Sequence, residues 1–301
     1  MTVCDGKNSA LGFKAGDTVA DTDVCDLISE SMKDEREVFN ESENTLIGGR
    51  QENVADAVCT KQNPGGSFTF RPRYSEIEKA FALALCGGTT TLIPVATGEL
   101  TAFSVTVDKA GAKTEKYSDC VVSELTFSSE QNNPAEIQID LIAKSCADSS
   151  ITPDYTSIGG VVPVMHSDLV MTDDIAAGLN IYKYQLHINN NVDSELYGNS
   201  ATRQVLQAQQ FDADLELELD LTASLASAWK TAYVNKTALV LTATYDNETD
   251  DPFVIQFSGI ITSPLPEITS PGTQKATVTF DGKAVKDAAG AVITNKVEVT
   301  P

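Results

Sequence analysis

The stretch FDADLELELDL, Phe211 to Leu221, alternates without a slip. Asp212, Asp214, Glu216, Glu218 and Asp220 hold one parity, and Phe211, Ala213, Leu215, Leu217, Leu219 and Leu221 hold the other. Successive side chains on a strand point to opposite faces, so the pattern predicts a strand with five carboxylates on one side and an apolar row on the other. Like charges in a row repel one another. The plain reading is a solvated face; the sharper one is a surface whose charge has work to do. Thr222 then caps an amphipathic stretch, Ala223 to Ala232, that reads as a helix of about three turns.

The same succession occurs earlier in the chain. GSFTFRPRYSEIEKAFALAL, Gly66 to Leu85, also passes from an alternating strand through a capping Ser75 into an amphipathic stretch, Glu76 to Leu85. Further blocks follow in the same order. VFNESENTLIGG (Val38 to Gly49) answers to HINNNVDSELYGN (His187 to Asn199), and LTAFSVTVD (Leu100 to Asp108) to ALVLTATYD (Ala238 to Asp246). YSDCVVSELTF from Tyr117 answers to FSGIITSPLPE from Phe257, and EIQIDLIAK (Glu136 to Lys144) to KATVTFDGK (Lys275 to Lys283). Five blocks in one order predict an internal duplication. Residues 1–150 and 151–301 would form two tandem domains, joined by the small, turn-forming residues of about 145–160. Each reads strand, long loop, strand, helix and three strands. The fold class expected is therefore mainly β with a flanking helix per unit (α+β), as a sandwich or partly closed barrel. The connections Gly48 to Gly66 and Gly198 to Gln210 are long for a compact domain, which marks them as functional arms.

Composition limits the function. The 301 residues carry 21 Lys and Arg against 43 Asp and Glu, a net charge of −22 that the two halves share equally. Such a chain does not grip nucleic acid or an anionic membrane, because that affinity comes from cations displacing counterions. No apolar run approaches the roughly 18 residues that span a bilayer. MTVCDGKNSALGF has neither the basic start nor the apolar centre of a secretory signal, so synthesis in a cytosol is expected. The six cysteines lie in the first half without a CxxC pair, and both histidines, His166 and His187, in the second, so a zinc site is not expected. Free buried thiols are the simpler reading.

No catalytic constellation stands out. The chain has no GxSxG, Walker, GxGxxG or HExxH motif. The acidic turn YDNETDDP, Tyr245 to Pro252, lacks the Gly and closing Glu of a calcium loop. His187 on an alternating strand and Trp229 on the second helix read as structural residues. Neither an enzyme nor a cofactor is expected.

Taken in order, SENTLIGGRQ, the long loop, GSFTFRPRYSEIEKAFALALCGG, ELTAFSVTVDKAGAKTEKYSDCVVSELTFSSE, AEIQIDLIAKS and, later, YKYQLHINNNVDSELYG resemble the tail tube proteins of long-tailed bacteriophages, in their larger, duplicated form. Cys120 departs from the pattern, standing where glycine is common and where the second copy offers Gly259 or Ile260. The resemblance implies rings stacked into a tube around a β-barrel lumen that conducts the genome. It implies an arm, with Arg50 and Cys59, reaching to a neighbour. Single-unit members form six-membered rings, so a duplicated chain implies three chains per ring. The partners implied are the chain itself, the tape measure, terminator and distal tail proteins, and genomic DNA passing without specific binding. The place implied is the virion tail, assembled in the host cytoplasm. An acidic lumen would repel DNA, making the Asp212 to Asp220 face a candidate lining. Arg71 and Arg73, at matching positions of the first copy, suggest instead pairing between neighbours. Two other readings are a different ring-forming tail or neck component and a bacterial surface adhesin-like β module, the latter lacking its export signal.

Overall fold

The computed structural model describes residues 10–16, 19–20, 23–39, 58–87, 91–94, 100–109, 111–154, 162–173, 179–198, 200–265, 274–282 and 297–300. The first half contributes β1 (Ala10–Ala15), β2 (Asp26–Glu30), β3 (Lys33–Phe39), β4 (Val58–Arg71), α1 (Tyr74–Leu85), the short β5 (Cys86–Gly87) and β6 (Ile93–Pro94), β7 (Phe103–Asp108), β8 (Thr114–Glu130), β9 (Glu136–Ile142) and β10 (Ser145–Asp148). The second contributes β11 (Leu169–Asp173), β12 (Ile181–Asn189), β13 (Val192–Asp193), β14 (Gln207–Ala208), β15 (Asp212–Leu221), α2 (Ala223–Asn235), β16 (Leu239–Tyr245), β17 (Phe253–Ile261), β18 (Gln274–Asp281) and β19 (Val297–Thr300). The chain is mainly β, with two long helices among the described residues.

Strand pairing is antiparallel and follows one order in both halves. In the first it runs β1, β7, β8, β9, β4, then β2 and β3 side by side; in the second it runs β11, β16, β17, β18, β15, β12. The register recurs as well. Gly65 faces Ile142 and Phe70 faces Ile137 on β4 and β9; Asp214 faces Asp281 and Leu219 faces Ala276 on β15 and β18. A constant shift along each strand, 65 to 214 on one and 142 to 281 on the other, carries the first ladder onto the second. Likewise Cys120 faces Phe103 and Gly259 faces Leu239, so the position of Cys120 in the first half is matched by Gly259 in the second. A Cβ at Gly259 would lie 2.4 Å from the ring of Phe257, which is why glycine stands there.

The halves join in one sheet. β12 of the second half pairs with β8 of the first, Lys183 facing Glu130 and Asn189 facing Glu124. β8 serves two sheets: its early residues pair with β7 and β10, and its later ones with β9 and β12. Among the described residues, β2 and β3 at one sheet end pair with β4 alone, and β18 meets β17 only at Ile260 and Ile261.

The core runs across this seam. Phe127 of β8 meets Tyr184, Tyr245 and Phe253 of the second half edge-on, with ring centres 6.0, 5.5 and 6.2 Å away. Edge-to-face packing of this kind stabilises beyond the area buried, by about 0.5–1.5 kcal/mol per pair. Ile77, Ala80, Phe81 and Ala84 form the buried face of α1. Trp229 of α2 is fully buried, edge-on to Phe280, and donates from Nε1 to Asp173 at 2.7 Å.

Thr222 caps α2 as expected, accepting from Leu225 N at 3.3 Å. The first helix differs, because Ser75 lies inside it. The chain enters α1 with Arg73 N donating to the Glu76 carboxylate at 3.0 Å. Two expected loops contain strands. Val58–Gly65 pairs with β3 as a hairpin ribbon, and Ser145–Asp148 pairs with β8. Among its described residues, Gly198 to Gln210 holds only the two-residue β14.

Candidate functional site

The apolar residues of β15 are buried and its carboxylates line the opposite face. Cross-strand register extends that face through β18, β12, β8, β9 and β4, giving rows such as Asp281, Asp214, His187, Thr126, Gln138, Thr69. Among the described residues of these strands the face carries ten carboxylates (Glu124, Glu130, Glu136, Asp140, the five of β15, and Asp281) against cations that include Lys61, Lys183, Lys275 and Arg71.

The row of like charges is held by its neighbours. Lys183 reaches Glu216 at 2.8 Å and Lys275 reaches Glu218 at 2.6 Å. Asp220 accepts from Tyr182 Oη and Asn180 Nδ2, each at 3.1 Å, and Asp212 from Asn191 at 3.2 Å and Gln210 at 3.0 Å. His187 Nε2 lies 3.3 Å from Glu124. Burial raises the Asp140 carboxyl above its ordinary value, and nearby Glu124 adds to this, against a hydrogen bond from Gln138.

The arginines sit elsewhere. Arg71 ends β4, separated from β15 by β12, β8 and β9, with Nη1 3.8 Å from Asp26. Arg73 lies past the strand's end, its Nη1 4.0 Å from Glu76 at the start of α1, so it shares no strand face with Arg71. The Asp212 to Asp220 row and the two arginines are therefore not brought together within one chain. Arg50 lies outside the described residues. Cys59 pairs through its backbone with Val38, and its side chain lies outside the described set.

Sequence reasoning missed Arg203, whose only signal was the dipeptide Arg203-Gln204 echoing Arg50-Gln51. Arg203 is 7% exposed and clamps the halves together. Nη1 donates to the carbonyls of Pro64 and Ala143, both at 3.0 Å, Nη2 to Asn63 Oδ1 at 3.1 Å, and Nε to Ser194 O at 2.9 Å. Around it Gln62 N donates to Ala201 O at 2.8 Å, Lys61 pairs with Glu195 at 2.8 Å, and Tyr197 Oη donates to Gln62 O at 3.0 Å. The connection after β12 thus docks along β4 of the first half.

Among the described residues no group of three or more His, Cys, Asp or Glu could hold a metal ion, and no helix is long and apolar enough to cross a membrane. What the geometry offers is a broad acidic sheet face and a docked arm. No curated protein matches the sequence. A family model, described as phage tail tube protein, matches residues 6–282. The chain therefore belongs to the phage tail tube protein family, a structural component of the virion tail.

Proposed function

We propose that three copies of this chain close into a ring of six similar units, and that such rings stack into a tube. Residues 1–150 and 151–301 are two copies of one tube domain. Their shared pairing order and register support this.

The observation that carries the reading is the seam between β12 and β8. It joins unit to unit head to tail, and a heterologous contact of this kind leaves its complements open at the two ends of the chain. At one end stand β2 and β3, the counterparts of β12. At the other stands the stretch that continues from β17, whose Ile260 holds the position of Val121 on β8. Joining these ends between chains repeats the seam around a ring.

The acidic sheet face then lines the lumen. DNA carries one negative charge per about 1.7 Å of duplex, so a cationic wall would hold it by many phosphate contacts. A wall rich in carboxylates repels it and lets the genome pass. In the virion tail, assembled in the host cytoplasm, the tube meets a tape measure protein inside and terminator and distal tail proteins at its ends. Negative-stain electron microscopy of the purified chain, with its mass by light scattering, tests the reading. Rings of three chains with six lobes, or tubes with a central channel, are expected. A chain that stays monomeric at every concentration, and also in the presence of the distal tail proteins, overturns it.

A further inference from the structure

We infer that the junction between two copies of this chain is ionic where the junction inside the chain is aromatic, and that Lys230 of one copy meets Glu30 of the next at its centre. The inference rests on the ring reading above and names the contact that closes each ring.

Inside the chain four buried rings surround Phe127. Phe81 of α1 and Tyr184, Tyr245 and Phe253 of the second half have their centres 6.1, 6.0, 5.5 and 6.2 Å away. Each of these four places has a counterpart at the open ends of the chain. Leu27, Ser29 and Glu30 face Phe70, Thr69 and Phe68; Ile181, Lys183 and Tyr184 face Leu219, Glu218 and Leu217. Both ladders skip one residue at the same step, and the shift that carries Gly65 to Asp214 carries Phe68 to Leu217. Glu30 therefore stands at the place of Tyr184. The same shift, continued past the strands, sets Tyr74 at the start of α1 against Ala223 at the start of α2, and Phe81 against Lys230. Burial agrees with this helix register, since Ala80 and Leu83 are buried and so are their counterparts Trp229 and Ala232. Asp108 faces Thr114 as Thr244 faces Val254. On the next rung Lys109 N donates to Lys113 O at 2.9 Å, where the second half has Tyr245 against Phe253. The four aromatic places thus become Lys230, Glu30, Lys109 and Lys113.

The two junctions differ in when they are covered. Phe81, Ala84 and Leu85 of α1 are buried within the chain, whereas the matching Lys230, Tyr233 and Val234 of α2 are exposed until a second copy arrives. Aromatic rings on such a face would form an apolar patch that takes wrong partners; charges keep it soluble and admit the opposite sign. Lys109 and Lys113 are already engaged by Glu115, each at 2.9 Å. Glu30 accepts from Met32 N at 2.7 Å through Oε2, which leaves the carboxylate its charge and Oε1 for a cation. Lys230, at the place of Phe81, is the cation that the junction brings to it.

The test follows ring formation of the full-length chain against concentration by sedimentation velocity, at low and at high salt. The chains compared are the wild type, Lys230→Glu, Glu30→Lys, Glu30→Gln, and the pair Lys230→Glu with Glu30→Lys. Thermal melting of the unassembled chain verifies each fold; Lys230 is exposed, and glutamine at position 30 keeps an acceptor for Met32 N. Wild-type rings are expected to loosen as salt rises. Either reversal is expected to raise the concentration needed by about tenfold or more, Glu30→Gln by less, and the swap to recover most of the loss. Single variants that assemble like the wild type overturn the pair and leave the ring reading standing. Losses that the swap leaves in place overturn the pairing of these two residues, and rings indifferent to salt overturn the ionic junction. A wild type that forms no rings in either salt overturns the ring reading and the pair with it.

Discussion

Lys183 on β12 places its ammonium 2.8 Å from Glu216 on β15, and on its other side faces Glu130 across the seam. One cation thus sits between the acidic row and the first half. Both partners of the Lys183 pair are partly exposed, as are Lys275 and Glu218. Such pairs contribute about 0–1 kcal/mol. They order the face without neutralising it.

Reversing Glu216 and Glu218 to Lys separates a lumen from a chain contact. The expected outcome is normal tubes, a fall in stability of about 1 kcal/mol or less from the exposed pairs, and slower DNA release from particles carrying the variant. Blocked polymerisation would instead place the face between chains.

Arg203→Ala removes four hydrogen bonds donated to buried or half-buried oxygens. Breaking a buried charged network of this kind costs about 3–5 kcal/mol. Urea unfolding should show the loss, and proteolysis should quicken at 192–208. Arg203→Lys should recover little, since an ammonium cannot reproduce the planar fork.

Acid stability should depend on Glu115. Burial opposes its charge, yet hydrogen bonds from Lys109 and Lys113, each at 2.9 Å, and from Tyr117 at 3.0 Å hold its carboxyl at about 2. A depressed carboxyl stabilises the fold above its ordinary value of 4.5, and this stabilisation fades as pH falls from there towards 2. Glu115→Gln should flatten the unfolding curve in that window. An unchanged slope would show that Lys109 and Lys113 do not act through it. Glu76, raised by burial, works in the opposite direction and loses its contribution as pH rises.

Cys25 and Cys120 are buried, and burial pushes both thiols above their ordinary value; Cys146, half-buried, is pushed up to about 11. Thiolate is the reactive form. At pH 8 the native chain should leave Cys25 and Cys120 unlabelled by iodoacetamide and label Cys146 slowly, with all three modified in urea. Peptide mass mapping gives the answer, and fast native labelling of Cys120 would contradict its packing.

What could be read in the sequence was whatever one buried face controls. The alternation of Phe211 to Leu221 became β15 because every second residue enters the core. Both helices were legible from their apolar stripes, and Thr222 from its hydroxyl. The β3–β4 ribbon was hidden because its residues, KDEREVF against polar Thr60 to Asn63, carry no apolar alternation; backbone pairing alone specifies it. Ser145–Asp148 escaped for the same reason, as small residues on an edge strand. Arg73 was misplaced because Pro72 ends the strand, an effect that alternation does not register. Three of the four hydrogen bonds of Arg203 go to main-chain oxygens, which no residue pattern announces.

The seam between β12 and β8 is written in peptide groups, which every residue but proline supplies alike. Inheritance can therefore rewrite the outward side chains of either unit without erasing the junction. Arg71 stands in the first half on the rung that Asp220 holds in the second, and the same register runs past both. A chain joined this way can change the charge of a rung, generation after generation, while its strand pairing stays put.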